Sequence, residues 1–274
     1  MAALDGYVEG TFTFEGKERT VFRRGEGPAV LVISEIPGIT PLVADFGRRV
    51  AEAGFTAVLP SLFGTPGKDP SSAYAAQSLA WACVSKEFAT WARNKTSPAT
   101  RWCKALARHE HEQCGGPGVG VVGMCLTGNF ALAMMVDPVV VAPVLSQPSL
   151  PFALDGASKR DVNLSPEDLA AVKARCEDEE DLCVLGLRFS GDFMAPAERF
   201  ARLEQELGES FVGVTIDSSK GNVHGIRPMA HSVLTEDLVD EPGHPTQDAL
   251  HQVLDLFRTR LVPPGREVPH RRRA

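Results

Sequence analysis

Short runs of consecutive apolar residues recur along the chain, separated by segments whose apolar positions have a helical spacing. The first 25 residues instead alternate apolar and polar side chains, which predicts an antiparallel hairpin at a sheet edge. Continuous runs are typical of strands buried on both faces, and they occupy residues 29–34, 55–60, 119–123, 139–145, 182–189 and 211–216. Helices are predicted at 42–53, in two pieces within 73–113, after residue 123, near 165–175, and at 197–207 and 246–261. This alternation predicts an α/β fold with a mostly parallel central sheet and helices on both faces.

The predicted elements fit one domain over residues 1–262, because a chain of 274 residues is long enough for one large core. Within it, the helical segment 73–113 carries all three tryptophans. We interpret this segment either as helices packed on the sheet or as a cap over the site. Residues 149–181 form a polar excursion between two predicted strands. The Pro- and Arg-rich residues 263–274 are predicted to form a mobile basic tail.

The charge balance and the amino terminus exclude several classes of protein. With 28 basic and 35 acidic residues, the net charge is −7, which disfavours a general nucleic-acid-binding protein. No apolar run approaches the roughly 18 residues of a membrane span, and MAALDGYVEG lacks the basic and apolar regions of a signal peptide. The six cysteines are therefore expected to be reduced thiols in a cytoplasmic protein that binds neither nucleic acid nor membrane.

One cysteine lies where a predicted strand turns into a helix, in the sequence GMCLTG at 123–128. This context is typical of a nucleophile elbow, usually written G-x-S-x-G. The following helix dipole favours a thiolate at Cys125, and the turn offers a backbone N–H to an oxyanion. Here Thr127 occupies the second glycine position of the strict motif, and Gly128 follows one place later. The alternative interpretation is a structural cysteine buried at the turn.

An acid and a base follow Cys125 in the order that this class of triad requires. Asp192 lies in SGDFMAP after the run at 182–189, where a carboxylate is able to accept the imidazole N–H and fix its tautomer. The other interpretation of Asp192 is a turn or helix-capping residue. The loop after the last predicted strand contains three histidines, His224, His231 and His244. His231 is the preferred base, His224 is its alternative, and His244 is interpreted as part of a turn.

These motifs resemble those of the dienelactone hydrolase family, an α/β-hydrolase branch with a cysteine nucleophile. The matching segments are SEIPGI after the run at 29–34, GMCLTG, SGDFMAP, and AHS some two dozen residues before LDLF. The resemblance extends over about residues 28–261 and implies the α/β-hydrolase fold. The last spacing favours His231 over His224. Cys125 would then be the nucleophile, His231 the base and Asp192 its partner, with neither a metal nor a cofactor.

The resemblance implies further roles near the first buried strand. Glu35 would contact the thiol in the resting state and help to deliver its proton when substrate binds. Such a contact would keep the nucleophile quiet, because a carboxylate beside a thiol opposes thiolate formation. The oxyanion hole would consist of the backbone N–H groups of Leu126 and Ile36. Four residues after His231 the family has a basic side chain that holds the substrate carboxylate, and this chain has Thr235 there.

The residues therefore predict a cysteine-dependent hydrolase of a lactone or activated ester that forms an acyl-thioester. The partner would be a small-molecule substrate, and the sequence does not specify which one. A thioesterase or acyl transferase would use the same three side chains. A third hypothesis is a catalytically silent α/β-hydrolase fold that binds a small ligand or a partner protein. The oligomeric state is not predicted.

Overall fold

The apolar runs form one eight-stranded sheet in the part of the chain that the computed structural model describes, which is residues 2–85, 88, 97–150 and 155–262. The alternating segment gives β1 and β2, and the continuous runs give six strands. The strands are β1 (Val8–Phe14), β2 (Lys17–Arg24), β3 (Ala29–Ile33), β4 (Thr56–Pro60), β5 (Val119–Met124), β6 (Val140–Ser146), β7 (Val184–Phe189) and β8 (Phe211–Ile216). Five of the six strands from the continuous runs are almost wholly buried, whereas β8 is an edge strand in which only Phe211 and Ile216 are buried, contrary to the burial on both faces that its apolar run predicts.

The strand order across the sheet is β1-β2-β4-β3-β5-β6-β7-β8. The hairpin of β1 and β2 is antiparallel and joins β4 in an antiparallel pair, whereas β4, β3 and β5 to β8 run parallel. This confirms the predicted mostly parallel sheet with an antiparallel edge hairpin. In such a sheet the carboxyl ends of the parallel strands share one edge, where ligands bind.

Helices cover both faces of the sheet. They are α1 (Pro41–Glu52), α2 (Ser72–Val84), α3 (Pro98–Cys114), α4 (Gly128–Met134), α5 (Gly156–Arg160), α6 (Pro166–Asp178), α7 (Ala197–Leu207) and α8 (Pro245–Leu261). Side chains of α1 and α8, such as Phe46 and Phe257, pack with Val30 and Val32 of β3. Leu31 of β3 points to the opposite face, whose core includes residues of α3, α4 and α7. Alternate residues of one strand therefore enter two separate cores.

The structure differs from the predicted elements in two places. The segment after β5 begins as a 3-10 turn at Cys125–Thr127, and α4 follows it. The polar excursion contains the short α5, which the apolar pattern did not predict, begun by mutual hydrogen bonds between Asp155 and Ser158. Trp91 and the basic tail 263–274 lie outside the described residues. Within the described residues, no helix has the length and apolar character needed to cross a bilayer.

Candidate active site

The strand register brings three segments level at the carboxyl edge of the sheet. Ile33 of β3 pairs with Gly123 of β5, and Met124 pairs with Ser146 of β6. Continuing the register, Glu35, Cys125 and Gln147 follow their strands at the same edge. Asp192 follows β7, the next strand of the sheet. The site is therefore built from the ends of four neighbouring strands.

Cys125 has the backbone conformation of a nucleophile elbow. Its φ is +54°, in the left-handed region that an L-residue adopts only under constraint. Small neighbours permit this turn, since a Cβ on Gly123 would lie 2.1 Å from the Thr127 carbonyl oxygen. A Cβ on Gly128 would lie 2.6 Å from the Cα of Pro148. Gly128, one place after the second glycine position of the motif, therefore has to be a glycine because the loop after β6 packs against it.

Thr127 uses its hydroxyl to tie the elbow to the end of β3. The hydroxyl accepts the N–H of Met124 at 3.0 Å and lies 2.9 Å from the carbonyl oxygen of Ile33 and 3.2 Å from that of Ser34. The side chain is fully buried. Thr127 departs from the strict motif, and its hydroxyl makes a specific bridging contact that a glycine lacks.

The structure brings Asp192 and His231 together. Nδ1 of His231 lies 2.6 Å from Oδ2 of Asp192, while Oδ1 of Asp192 accepts the backbone N–H of Met194 at 3.0 Å. The Asp192 side chain is buried and that of His231 is 14% exposed. Because the carboxylate occupies Nδ1, the other ring nitrogen, Nε2, is left for the chemistry.

The backbone around His231 is held by a second carboxylate. Oδ2 of Asp237 accepts the N–H of His231 at 2.8 Å and that of Ser232 at 3.0 Å. Arg227 donates to the other oxygen of Asp237 at 2.7 Å. Residues 227–238, which we term the His231 loop, therefore fold back on themselves and fix the position of the imidazole.

Burial alone would lower the pKa of His231, but the charges of Cys125 and Asp192 outweigh it and raise that pKa well above its ordinary value. The Cys125 sulfur is thus an electrostatic neighbour of the ring. Nε2 of His231 is buried and has no hydrogen-bond partner among the described residues. Cys125 itself is half-buried.

His224 and His244 lie away from this pair. Their rings stack edge to face with centroids 5.3 Å apart, and His224 is exposed. His244 precedes α8 and interacts through Nδ1 with Thr246 at 2.7 Å. Among the three histidines considered as the base, His231 is the one that contacts Asp192.

Glu35 is buried at the site, but the expected contact with the Cys125 thiol is not formed. Its Oε2 accepts Nε2 of Gln147 at 3.0 Å and Oγ of Ser232 at 2.8 Å, and its Oε1 accepts the hydroxyl of Thr235. Burial raises the pKa of Glu35, although these donors and the nearby His231 oppose the shift. The physical reason for the difference is that the carboxylate already has three partners on other segments.

Two further expectations concern residues around Glu35. The hydroxyl of Thr235 donates to Glu35. Thr235 therefore does not replace the basic side chain that, by the resemblance, would hold the substrate carboxylate at this position. The backbone N–H of Ile36 donates to no other residue in the described chain, which leaves it available to an oxyanion. Leu126 follows Cys125 in the 3-10 turn. The Ile36–Pro37 peptide bond is cis.

Gln147 is a site residue that the sequence analysis missed. It has a φ of +35°, is completely buried, and directly follows β6. A long amide directly after a mostly apolar strand, in the sequence VLSQPS, is the signal for it in the chain. Because the strand ends of a parallel sheet form the site, a polar residue directly after β6 indicates a site residue there, as Asp192 does after β7.

A cavity of about 550 Å³ lies at the same edge of the sheet, beyond the end of β4. Its wall includes Phe63 and Gly64, next to the residues after Ile36, since a Cβ on Gly38 would lie 2.5 Å from the Phe63 carbonyl oxygen. Tyr74 and Trp81 of α2 form another wall. Cys125 is not among the lining residues, so the cavity is beside the elbow rather than over it.

Comparison with known proteins identifies the family. The family model named "dienelactone hydrolase family" matches residues 18–261. The chain belongs to the dienelactone hydrolase family. This family consists of carboxylic ester hydrolases with the α/β-hydrolase fold, as the sequence motifs implied.

Individual relatives are more distant. The Escherichia coli K12 protein YghX, which is named as a hydrolase fragment, is 45% identical over 49 residues, covering 16% of this chain and 42% of YghX. The chain thus matches less than half of that relative. A Klebsiella pneumoniae protein named as a dienelactone hydrolase superposes with a TM-score of 0.61 at 17% identity, covering 92% of this chain and 99% of the other.

A second solved structure shows the same fold. It is a dienelactone hydrolase-like promiscuous phosphotriesterase, P91, from metagenomic libraries. It superposes with a TM-score of 0.59 at 14% identity and covers 93% of this chain and 98% of its own. At such low sequence identities the superpositions show the fold alone. The reaction of this chain has to be inferred from its own site residues.

Proposed function

We propose that this chain hydrolyses a lactone or activated ester through an acyl-thioester on Cys125. The observation that carries the proposal is the 2.6 Å contact between His231 Nδ1 and Asp192 at the sheet edge where the elbow presents Cys125. A carboxylate on Nδ1 orients the imidazole so that Nε2 exchanges a proton with the nucleophile and the leaving group. Cys125, His231 and Asp192 are the nucleophile, base and orienting acid of this proposal.

The reaction begins when Nε2 of His231 takes the proton of the Cys125 thiol and the resulting thiolate attacks the acyl carbon. The carbonyl electrons move to oxygen, which the backbone N–H groups of Leu126 and Ile36 stabilise. When the tetrahedral intermediate collapses, the alkoxide leaves with the proton from Nε2 of His231, and the acyl group remains as a thioester. His231 then takes a proton from water, hydroxide attacks the thioester, and the thiolate leaves. These reaction steps use no metal and no cofactor.

Two features support catalysis over a silent ligand-binding fold. A residue with positive φ at the elbow costs on the order of 1–3 kcal/mol, and a binding protein has no use for that strain at Cys125. The Asp192–His231 pair is also held by contacts on both sides, to Met194 and to Asp237. We also propose a cytoplasmic location, where the reducing conditions would keep the Cys125 thiol free.

The proposal is tested by trapping the acyl-enzyme. The protein is mixed rapidly with p-nitrophenyl acetate or an enol-lactone, quenched in acid, and analysed by intact mass and peptide mapping. We expect one acyl group on Cys125, released by hydroxylamine, and none on Cys125→Ala. Cys183→Ala is the matched control, because Cys183 is a half-buried free thiol in the strand region before β7.

Unchanged turnover by Cys125→Ala would refute the cysteine mechanism. If acyl-thioesters acylate the wild-type protein and none of a panel of lactones and esters does, the thioesterase alternative replaces the proposal. If it binds these compounds without release of product, the silent-fold alternative does.

A further inference from the structure

Two large apolar side chains lie in solvent beside the Asp192–His231 pair. Phe193 directly follows Asp192 and is 65% exposed, and Met229 precedes His231 by two positions and is 68% exposed. The N–H of Met194 donates to Asp192 at 3.0 Å, so Phe193 is held at the tip of a tight turn. We term Phe193 and Met229 the apolar rim.

The backbones that carry the apolar rim are packed against each other. A Cβ on Gly191 would lie 2.3 Å from the carbonyl oxygen of Pro228, so the two chains touch there. Next to this contact, Oδ2 of Asp192 lies 2.6 Å from Nδ1 of His231. The turn after β7 therefore runs beside the start of the His231 loop, and the two exposed side chains belong to one continuous surface at the site.

This surface offers no partner to a charged group. Within residues 191–195 and 228–231 the ionisable side chains are Asp192 and His231, which bind each other. The arginines of β7 and α7 that donate to carbonyl oxygens of the same turn are buried. A molecule that covers the apolar rim therefore gains free energy by removing apolar surface from water rather than by ion pairing.

The strand order places the apolar rim on one side of the reaction centre. Cys125 follows β5, the N–H of Ile36 follows β3 on one side, and the turn with Asp192 follows β7 on the other. In the proposed reaction the acyl oxygen turns towards the N–H of Ile36, whereas Nε2 of His231 gives its proton to the leaving oxygen. A general acid has to lie within hydrogen-bond reach of the atom that it protonates. The alcohol part of the ester therefore lies on the His231 side, where the apolar rim is.

We propose that the apolar rim binds the alcohol part of the substrate, and that the substrate is an ester of an uncharged, apolar alcohol. In a lactone, the same place takes the apolar substituent on the carbon that bears the ring oxygen. The inference rests on the proposed function, because the direction of the leaving group follows from the role of His231. The cavity beyond the end of β4 lies on the opposite side of the elbow and is the competing place for an apolar alcohol.

The test compares kcat/KM in two series of uncharged esters. One series runs from ethyl to hexyl acetate and lengthens the alcohol, whereas the other runs from ethyl acetate to ethyl hexanoate and lengthens the acyl chain. The alcohols of the first series have almost the same acidity, so their length changes contact with the protein and not the leaving group. A fully buried methylene is worth roughly fourfold in binding, so on an open surface we expect about twofold for each methylene, or roughly 16-fold from ethyl to hexyl acetate.

Variants assign that preference to the apolar rim. In the double variant Phe193→Ala/Met229→Ala we expect the hexyl-to-ethyl ratio of kcat/KM to fall below about threefold, because most of the apolar contact is gone. Phe193→Leu keeps an apolar side chain and should retain most of the ratio. The matched control is Trp81→Ala, which removes an exposed aromatic side chain, 45% exposed, from the wall of the cavity beyond β4.

The ratio cancels any change that affects both esters alike, and thermal melts show that each variant is folded. We expect Trp81→Ala to keep the wild-type ratio. An unchanged ratio in the double variant, or its loss in Trp81→Ala instead, would overturn the proposal. So would a dimer of the wild type that dissociates in the double variant without a change in the ratio, because the apolar rim would then be a contact between two copies of the chain.

A second measurement needs no turnover. Cys125→Ala is labelled with 13C at its methionine methyl groups and titrated with 1-hexanol, and the Met229 resonance is assigned from its absence in Met229→Leu. We expect a saturable shift of that resonance with 1-hexanol, a smaller one when Phe193→Ala is added, and none with ethanol. If hexanol binds in this way but no ester is hydrolysed, the proposed function fails and the apolar site stands. If esters are hydrolysed but the Met229 resonance does not move, the apolar site fails and the proposed function stands.

Discussion

At the scale of single residues, Thr127 shows how one hydroxyl replaces the freedom of a glycine. The strict elbow motif has a glycine at this position, where the chain needs room. In this chain the buried hydroxyl satisfies the N–H of Met124 and approaches the carbonyl oxygens of Ile33 and Ser34. A bond between the elbow and the end of β3 sets the separation of Cys125 from the N–H of Ile36.

Thr127→Val tests that bond. The valine keeps the shape but leaves the buried N–H of Met124 without a partner, which costs about 1–3 kcal/mol. We expect the free energy of unfolding in urea to fall by that amount with an unchanged m-value. Thr127→Ser is the matched control and should lose less, since it keeps the hydroxyl. Equal stability of Thr127→Val and the wild type would contradict the bridging role.

The motif residues could be predicted from the sequence, and the residues that position them could not. Cys125 and Asp192 follow apolar strands in a fixed order, which the chain displays locally. Gln147 and Thr235 acquire their contacts to Glu35 only when the ends of β3 and β6 and the His231 loop meet. Neither spacing nor composition encodes which of several polar residues at a strand end will face a carboxylate more than 100 positions away.

At the scale of elements, the edge hairpin is attached to the helical layer by a buried ion pair. Nε of Arg23 in β2 lies 3.0 Å from both carboxylate oxygens of Glu110 in α3. Glu110 is almost completely buried and Arg23 is 26% exposed. The alternating pattern of the hairpin predicted the strands, but not this attachment, because the partners are 87 residues apart.

Glu110→Ala should therefore destabilise the protein more than removal of a surface partner. Breaking a fully buried pair costs about 3–5 kcal/mol, and partial exposure of Arg23 reduces our expectation to about 2 kcal/mol. The control is Glu15→Ala, which removes the exposed partner of Arg101 and should cost less than about 0.5 kcal/mol. Both values come from urea denaturation. A Glu110→Ala loss no larger than that of the control would show that the pair does not anchor the hairpin.

Elements were predictable where burial dictated their pattern. The bounds of β8 and α7 agree with the predicted 211–216 and 197–207, because buried apolar side chains mark the two ends of β8 and one face of α7. The five-residue α5 has a local capping contact and only one buried side chain, Ser158. Its apolar pattern therefore carries no helical period. The turn at Cys125 is likewise set by the packing of Gly128 on Pro148 rather than by helix propensity.

At the scale of the whole molecule, one buried cation joins the polar excursion to the turn after β7 that contains Asp192. Arg199 of α7 is completely buried. Its guanidinium donates to the carbonyl oxygens of Pro148 at 2.6 Å, Ser158 at 3.1 Å, Asp161 at 2.7 Å and Met194 at 3.3 Å. Pro148 follows Gln147 after β6, and the N–H of Met194 donates to Asp192 after β7, so Arg199 holds the turns after both strands.

Arg199→Met should consequently affect both stability and catalysis. Methionine fills much of the volume but leaves four carbonyl groups without their donor, and each buried unsatisfied group costs about 1–3 kcal/mol. We expect a loss of at least about 3 kcal/mol in the free energy of unfolding, together with faster amide exchange in residues 155–181 and a lower kcat. Arg202→Met on the same helix is the control, because Arg202 pairs with Glu206 at the surface and should cost less than about 1 kcal/mol.

If Arg199→Met unfolds outright, Arg199→Lys retains the charge and one or two of the hydrogen bonds and should show the same exchange pattern in milder form. Protection of residues 155–181 that stays at the wild-type level in a folded Arg199 variant would show that the excursion is held by other contacts.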